Sequence, residues 1–254
     1  MGTIDLFVAE DAVGEIVFNR PDKKNALRNE DWRLLREQLE RASTLPLRCL
    51  LLRGAGEDFC AGWDLGQARG EVDPADVING FVNPALQTIR TFAKPTIAAV
   101  TGACLGGGLG IAMACDVVLA ADTARLGSPF RNIGLLPDSG AHYVLRERLG
   151  HHKASQLIYT GKMIDGCEAA RLGLVCEVYP AASLLEEARK MAAVIASGPT
   201  ASFMASKRIL LQPADYDETL AREAEGQARI FATADAKEGI SAFLQKRKPV
   251  FVGQ

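Results

Sequence analysis

Three consecutive glycines, Gly106 to Gly108, are the residues whose type and spacing point most directly to chemistry. Glycine loses more backbone freedom on folding than any other residue, so such a run is costly unless a group must approach the main chain itself. The mostly apolar residues 109–114 predict a buried helix, and the first N–H groups of a helix have no partner inside it. The stretch therefore fits either an oxyanion site made of backbone N–H groups or a helix start that packs closely.

Other sites that use glycine-rich or apolar segments do not fit this stretch. A phosphate loop needs Gly-Lys-Ser or Gly-Lys-Thr, and a dinucleotide site needs the spacing G-x-G-x-x-G after a strand; these glycines match neither pattern. The uncharged run 96–115 has the length of a membrane span, but its glycines disfavour an isolated helix and Asp116 follows at once. We therefore expect no membrane insertion.

The composition predicts a soluble globular chain with a large core. Of its 254 residues, 48% are hydrophobic and 24% are charged, and the net charge is -2. This charge, without a long run of Lys or Arg, argues against a nucleic-acid partner. The six cysteines form no C-x-x-C pair and none lies near a histidine at zinc spacing, so we expect mostly buried thiols, no metal site and a reducing cytoplasm. The first residues lack the basic and apolar regions of a secretory signal.

The elements that position the glycines alternate along the chain, which predicts an α/β fold. The expected strands are 4–9, 15–18, 49–52, 96–100, 117–120 and 175–178, the first two joined as a hairpin. Three helix starts carry capping residues, which are Asn29, Asp165, and Ser183 with Glu186. A further helix is expected near 143–149, and only helical periodicity continues from Thr200. We therefore divide the chain into an α/β body, 1–195, and an all-helical tail, 196–254.

Four segments together resemble a known family. They are FCAGWDL (59–65), GACLGGGLGIAMACDVVLAAD (102–122), IGLLPDSGA (133–141) and FATADAKEGISAFLQKRKPVF (231–251). In this order they resemble the crotonase (enoyl-CoA hydratase/isomerase) superfamily along nearly the whole chain. The resemblance implies a spiral of strand-strand-helix units, with a C-terminal helical region that builds homotrimers, commonly paired into hexamers. It also implies an acyl-CoA thioester substrate, with coenzyme A as part of that substrate and no separate cofactor.

The resemblance gives the glycines a role. Trp63, in A-G-W-D, and Gly107, in G-G-G, match the residues whose backbone N–H groups bind the thioester oxygen and stabilise an enolate. Because backbone groups do this work, the side chains are left to shape the pocket. The resemblance implies substrate contacts at Lys23, Ala26, Ala61, Trp63, Asp64, Leu65, Gly107, Phe130, Phe243 and Lys246.

The sequence departs from the hydratase pattern at the acid and base positions. Hydratases of this family have glutamates where this chain has Gly110 and Phe130. Isomerases of the family use one carboxylate in the motif 136–140, which matches Asp138; by composition alone an Asp after Pro is more often a turn residue. The resemblance therefore implies that Asp138 removes the α proton of the thioester and returns it at the γ carbon.

Such a base needs a dry pocket, because loss of solvent raises the pKa of a carboxyl group and strengthens it as a base. Phe130, Leu135 and Leu136 are the candidates for excluding water from Asp138. The loop 66–83 is expected to line the acyl pocket. His142 is expected on a helix surface, and Asp116 is expected to be structural.

Several alternatives to a double-bond isomerase stay open. Hydratase-type chemistry is disfavoured by Gly110 and Phe130. An aryl-CoA dehalogenase would use Asp138 as a nucleophile together with a histidine before the strand at 96, and no histidine lies between residues 66 and 100. The wording PDSG is closer to the isomerase branch that includes the ring-epoxide isomerase of phenylacetate breakdown. A non-catalytic acyl-CoA binder or scaffold subunit would also lack both glutamates.

Overall fold

Two sheets form the framework of the protein. A computed structural model describes residues 2–9, 11–67 and 73–254. The strands of this part of the chain are β1 (Ile4–Val8), β2 (Val13–Phe18), β3 (Cys49–Gly54), β4 (Thr96–Val100), β5 (Ala103–Leu105), β6 (Val117–Ala121), β7 (Arg125–Gly127), β8 (Ile164–Asp165) and β9 (Glu177–Tyr179). The larger sheet has the order β1-β2-β3-β4-β6-β9, and the smaller one has the order β5-β7-β8.

The larger sheet is parallel except at its first pair. β1 and β2 form the predicted antiparallel hairpin, and β2, β3, β4, β6 and β9 then run in one direction. The centre of the sheet is apolar on both faces: Leu51 lies beside Ile97, and Ile97 lies beside Val117. Strands buried on both faces are continuous apolar runs, which is why 49–52 and 96–100 were readable as strands.

Helices surround the two sheets, and from Thr200 onward the secondary structure is only helical. They are α1 (Asn29–Thr44), α2 (Pro74–Val77), α3 (Asn83–Arg90), α4 (Gly107–Ala114), α5 (Ala141–Thr160), α6 (Gly166–Arg171), α7 (Leu184–Ala196), α8 (Thr200–Leu211), α9 (Tyr216–Ile230) and α10 (Ala234–Leu244). A π-helical turn, Ile78–Val82, joins α2 to α3. The α/β class and the helices from Thr200 onward are as the sequence predicts.

Two predicted helix caps are wrong and one is confirmed. Asn29 is the first residue of α1 and not its cap; the Asp31 carboxylate accepts the N–H of Arg28 at 2.9 Å instead. The Ser183 hydroxyl donates to the carbonyl of Pro180, so the expected capping box of α7 does not form. Asp165 does cap α6, since its side chain accepts the N–H of Glu168 at 2.7 Å.

Two other predictions differ from the structure in length. The helix expected near 143–149 starts at Ala141 and is interrupted at Gly150, whose φ of 74° and ψ of 166° are not helical; a second helical run then continues to Thr160. The strand expected at 175–178 is β9, Glu177–Tyr179. Both errors concern element ends, where local propensity is weakest as a guide.

Buried polar contacts attach the helical tail to the sheet. Lys207 of α8 is 7% exposed, and its ammonium donates to Asp116 at 2.7 Å. Asp116, which follows α4, also accepts the backbone N–H and the hydroxyl of Thr96 at 2.8 and 2.9 Å. Arg48, before β3, donates to the Thr200 hydroxyl at 2.9 Å. Asp116 is therefore structural, as the sequence predicts.

Most of the cysteines are buried, as expected. Cys49, Cys60, Cys104 and Cys115 are buried free thiols, whereas Cys167 and Cys176 are exposed. Burial raises the pKa of Cys60 to about 12, so this thiol stays protonated and unreactive. In the described part of the chain, none of the helices is both long and apolar enough to cross a membrane.

Candidate active site

The glycine run starts α4 at the junction of the two sheets. Gly106 precedes the helix with φ of 52°, and a side chain at any of the three glycines would meet a neighbour. A Cβ atom at Gly107 would lie 2.8 Å from the indole ring of Trp32, and one at Gly108 would lie 2.0 Å from the carbonyl oxygen of Cys60. Close packing is therefore one reason for the glycines.

The same packing brings the segment of Trp63 against the start of α4. Gly62 has φ of 94°, and a Cβ atom there would lie 3.0 Å from the backbone nitrogen of Gly107. A larger residue at position 62 would push the two backbones apart. Glycine on both sides of the contact thus allows Gly62, which precedes Trp63, to lie against Gly107.

The backbone N–H groups of Trp63 and Gly107 have no hydrogen-bond acceptor among the described residues. Leu27 donates its N–H to the carbonyl of Gly62 at 2.8 Å and accepts the N–H of Asp64 at 2.9 Å. Because N–H groups alternate in direction along an extended segment, the N–H of Trp63 points away from Leu27. Neither Trp63 nor Gly107 uses its N–H in a hydrogen bond among the described residues. Two such donors suit a developing oxyanion, so close packing and an oxyanion site are compatible here.

The side chain of Trp63 has a partner that the sequence did not reveal. Its indole N–H donates to the Oδ1 atom of Asn29 at 2.9 Å. Asn29 was expected to cap α1, but as the first residue of that helix it fixes the indole ring instead. No sequence pattern links residues 29 and 63, because the contact depends on how the loop crosses the helix start.

Asp138 lies in the loop before α5, between the buried residues Pro137 and Ser139. Burial raises the pKa of the Asp138 carboxyl group above its usual range, and the Ser139 hydroxyl, which donates to Oδ1 at 2.8 Å, opposes part of that rise. The predicted direction of the pKa shift is confirmed. A carboxylate in this setting is a stronger base than one in water.

The loop of Asp138 occupies the space beside Gly110. A Cβ atom at Gly110 would lie 2.6 Å from the carbonyl oxygen of Ser139 and 2.7 Å from its Cβ atom. No side chain fits at position 110 unless this loop moves. Phe130 fills the space on the other side of the glycine run, since its ring lies 3.2 Å from a Cβ atom placed on Gly106.

The predicted dry pocket is only partly present. Phe130 is half-buried, but Leu135 and Leu136 are 54% and 77% exposed in the single chain. The prediction that these two leucines exclude water from Asp138 is therefore wrong for one chain alone. They lie just after the 3-10 turn Pro129–Ile133, whose end at Gly134 directs the following residues outward.

The segment predicted to bind coenzyme A is held against the loop that carries Trp63. Ala61 donates its N–H to the carbonyl of Lys24 at 2.9 Å, and Ala26 donates to the carbonyl of Lys23 at 3.0 Å. The buried residue Asn25 fixes this turn, because its amide donates to the carbonyls of Ala55 and Asp58. Lys23 itself is exposed. Asn25 was missed as a site residue, although its φ of 55° is one that Asn tolerates better than most residues.

The remaining predicted contacts are less clearly part of the site. The Asp64 carboxylate pairs with Arg20 at 3.0 Å and accepts the N–H of Gly66, so its side chain holds the loop. Leu65 is 54% exposed at the loop surface. Residues 68–72 of the expected acyl-pocket loop lie outside the described residues.

The structure does not bring the tail residues to this site within one chain. Phe243 is 82% exposed at the end of α10, and Lys246 follows that helix with φ of 55°. His142 is exposed on α5, as predicted. Among the residues with described positions, no three His, Cys, Asp or Glu side chains cluster in a way that could hold a metal ion.

Comparisons with known proteins agree with the fold and show the family. A sequence model described as enoyl-CoA hydratase/isomerase matches residues 8–254. YhaR of Bacillus subtilis, whose name combines hydratase and isomerase, is 36% identical over 96% of this chain and 97% of its own length. The 1,2-epoxyphenylacetyl-CoA isomerase of Escherichia coli is 33% identical over 96% of this chain and 97% of its own. Other relatives carry hydratase names alone.

A crystal structure of another protein also supports the fold. The enoyl-CoA hydratase of Bacillus anthracis superposes with a TM-score of 0.93 at 31% identity, covering 100% of both chains. A match over the full length at this identity supports a shared family as well as a shared fold.

Proposed function

Because the chain belongs to the enoyl-CoA hydratase/isomerase family, we propose that it is an enoyl-CoA isomerase, which moves a β,γ double bond of an acyl-CoA thioester to the α,β position. The substrate brings coenzyme A with it, and the reaction needs no separate cofactor. The proposal rests on one carboxylate, in the loop before α5, and on two backbone donors, one in the loop that follows β3 and one at the start of α4.

The two backbone donors carry the electrostatic part of the mechanism. The N–H groups of Trp63 and Gly107 hold the thioester oxygen, which becomes negative when the α proton leaves. Each donor of this kind stabilises the transition state by about 3 kcal/mol. They require no rearrangement, because Gly62 and the glycine run already fix both backbones.

Asp138 carries the proton in both steps. Its carboxylate removes the proton from the α carbon, and the electron pair of that bond moves into the enolate. The same carboxyl group then protonates the γ carbon, the double bond settles between the α and β carbons, and the carboxylate is restored. Burial, which raises the pKa of Asp138, makes it a better base for this weakly acidic proton.

The contact between Gly110 and Ser139 is the observation that favours isomerisation over hydration. The resemblance assigns the two hydratase glutamates to positions 110 and 130. At position 110 the carbonyl of Ser139 fills the space of any side chain, and at position 130 a phenylalanine ring packs over Gly106. Of the acid and base positions that the resemblance assigns, Asp138 is then the one that carries a carboxylate, and a single carboxylate is what a proton shuttle uses.

We extend the proposal to the rest of the substrate and to assembly. Lys23, Ala26 and Ala61 bind the adenine side of coenzyme A, and residues 196–254 form homotrimers, or hexamers built as dimers of trimers. In such an assembly Phe243 and Lys246 reach the coenzyme A of a neighbouring subunit. We place the enzyme in the cytoplasm, where reduced cysteines persist.

The direct test is double-bond migration on a panel of linear and cyclic β,γ-enoyl-CoA thioesters. The parent protein should turn over at least one of them, and Asp138→Asn should lower kcat by about a hundredfold or more, because a general base is lost. Asp217→Asn, the same change at an exposed position of α9, serves as the matched control and should leave kcat unchanged. Equal rates for the parent and Asp138→Asn would contradict the role of Asp138 in proton transfer.

The same preparation separates the competing functions. Hydration of α,β-enoyl-CoA at a rate above migration would move the assignment to a hydratase. Halide release from an aryl-CoA substrate would make Asp138 a nucleophile. Coenzyme A thioester retained without turnover of any substrate would indicate a non-catalytic binder.

A further inference from the structure

The hydroxyl group beside Asp138 is placed to control that carboxylate. Ser139 is 7% exposed, and its Oγ atom donates to Oδ1 of Asp138 at 2.8 Å. The influences on the Asp138 carboxyl group are burial, this hydroxyl and the residue's own amide N–H. Within the described chain, charged side chains of α4, α5 or the loop itself are not among them. Ser139 is thus the side chain that acts on the base.

The backbone at this position would suit glycine better than serine. Ser139 has φ of 55°, in the left-handed region where a Cβ atom is strained, and the next residue is a glycine with φ of 77°. A glycine at 139 would relieve the strain and still let the loop pack on Gly110. The side chain of Ser139 therefore needs a reason other than the conformation of the loop, and its hydrogen bond to Asp138 supplies one.

We propose that Ser139 is a positioning residue for Asp138: it holds Oδ1 so that Oδ2 alone carries the proton between the α and γ carbons. This inference rests on the proposed isomerase function. A carboxylate held through one oxygen cannot rotate freely about its terminal torsion, so the other oxygen stays aimed at the substrate. One fixed oxygen that reaches both carbons shortens the transfer, because no turn of the carboxyl group separates the two steps.

The proton balance involves one oxygen atom. In the first step the α C–H bond breaks and an O–H bond forms at Oδ2. In the second step that O–H bond breaks and the γ C–H bond forms. The Ser139 proton stays on Oγ throughout, because Oδ1 accepts it whether Asp138 is ionised or neutral. The bond is stronger to the ionised form, so its loss should raise the pKa of Asp138 toward the value that burial alone would give.

Two substitutions at one position test the proposal. Ser139→Ala removes the hydroxyl but keeps the strained Cβ atom, whereas Ser139→Gly removes both. Both variants should lower kcat by about tenfold with KM nearly unchanged, as for a lost hydrogen bond to a charged group. In both, the acidic limb of the kcat profile should move to higher pH. Ser183→Ala, which removes a hydroxyl that donates to the carbonyl of Pro180, is the control.

A titration without substrate keeps this inference separate from the proposed function. The carboxyl carbon of Asp138 is followed by NMR in the unliganded protein and assigned from its loss in Asp138→Asn. A higher pKa in Ser139→Gly than in the parent is the expected result. An unchanged pKa, or a Ser139→Gly variant as active as the parent, overturns the role of Ser139 even if the parent isomerises its substrate. A parent without migration activity overturns the proposed function itself, whatever the titration gives.

Discussion

At the scale of single residues, the proposed preference for isomerisation over hydration depends on Gly110. The space beside it is filled by the backbone of Ser139, so this glycine and the Asp138 loop depend on each other. A glutamate at this position would have to displace the loop that carries the base. We therefore expect that Gly110→Glu does not create a hydratase and abolishes isomerisation.

Gly110→Ala measures the same dependence with the smallest change. Its new Cβ atom meets the Ser139 carbonyl at 2.6 Å, and we expect the free energy of unfolding to fall by about 1–3 kcal/mol. Isomerase activity should fall with it, because the loop moves. Gly80→Ala is the control, because its new Cβ atom meets no described atom within 4 Å. Unfolding in urea should show that this variant is as stable as the parent or more stable by roughly 0.5 kcal/mol. Equal losses in the two variants would contradict the close contact.

The raised pKa of Asp138 also predicts how its substitution affects stability. Because burial raises the folded pKa, the folded chain binds this proton more tightly than the unfolded chain, whose carboxyl group has a pKa of about 3.9. The contribution of Asp138 is then fully present below the unfolded pKa and is lost as pH rises through the folded pKa. At neutral pH the folded state holds an ionised, desolvated carboxylate, which opposes folding.

Asp138→Asn removes this cost while keeping an acceptor for the Ser139 hydroxyl. Its Tm should exceed that of the parent at neutral pH, and the difference should shrink as the pH approaches about 4. Thermal unfolding followed by circular dichroism across this range gives the comparison. A Tm difference that is constant with pH, or that grows in acid, would be inconsistent with a raised pKa.

At the scale of elements, the ion pair between Lys207 and Asp116 fastens α8 to the sheet. Lys207 is 7% exposed and Asp116 has an exposed side-chain fraction of 26%, so both charges are largely removed from water. Such a pair adds less to the free energy of unfolding than its short distance between nitrogen and oxygen suggests. Loss of one partner, however, leaves a buried charge uncompensated.

We expect Lys207→Met to lower the free energy of unfolding by about 3 kcal/mol. This value is at the lower end of the loss for removing one partner of a buried ion pair. The Thr96 backbone N–H and hydroxyl, which still donate to Asp116, limit the cost. Arg36→Met breaks the exposed pair with Glu40 in α1 and should cost no more than about 0.5 kcal/mol. Chemical denaturation measures the loss of unfolding free energy in both variants. Equal losses would contradict the prediction.

At the scale of the whole molecule, the helical tail leaves much apolar surface uncovered in one chain. From α8 onward the exposed large apolar residues are Leu210, Tyr216, Leu220, Phe231, Ile240, Phe243, Leu244, Val250 and Val252. Apolar surface on this scale is typical of a protein interface. It supports the proposal that the tail builds a trimer.

Phe243→Asp places a charge in the proposed interface and should weaken the assembly. Sedimentation velocity of the parent should give three or six times the mass of one chain, and the variant should dissociate at concentrations where the parent does not. Lys237→Asp, at an exposed polar position of the same helix, is the control and should sediment like the parent. A monomeric parent would refute the trimer.

The amino-acid sequence by itself determined the fold class and the family, and it supplied the groups proposed for the site. Continuous apolar runs predicted β3 and β4, and the glycine run predicted a helix start with open N–H groups, because these features are local in the chain. Four motifs in order gave the family, which the comparisons confirm. The sequence also shows that positions 110 and 130 carry no carboxylate and that position 138 does, since this depends only on residue type.

Only the tertiary structure decided how these groups meet. It placed the Ser139 carbonyl in the space beside Gly110, and it gave the Trp63 indole to Asn29. It also left Leu135 and Leu136 exposed in a single chain, against the prediction. The two contacts join segments far apart in sequence, and the exposure of the two leucines depends on whether another segment packs over them. Such contacts follow from how the chain packs as a whole, and no local pattern of residue types encodes them.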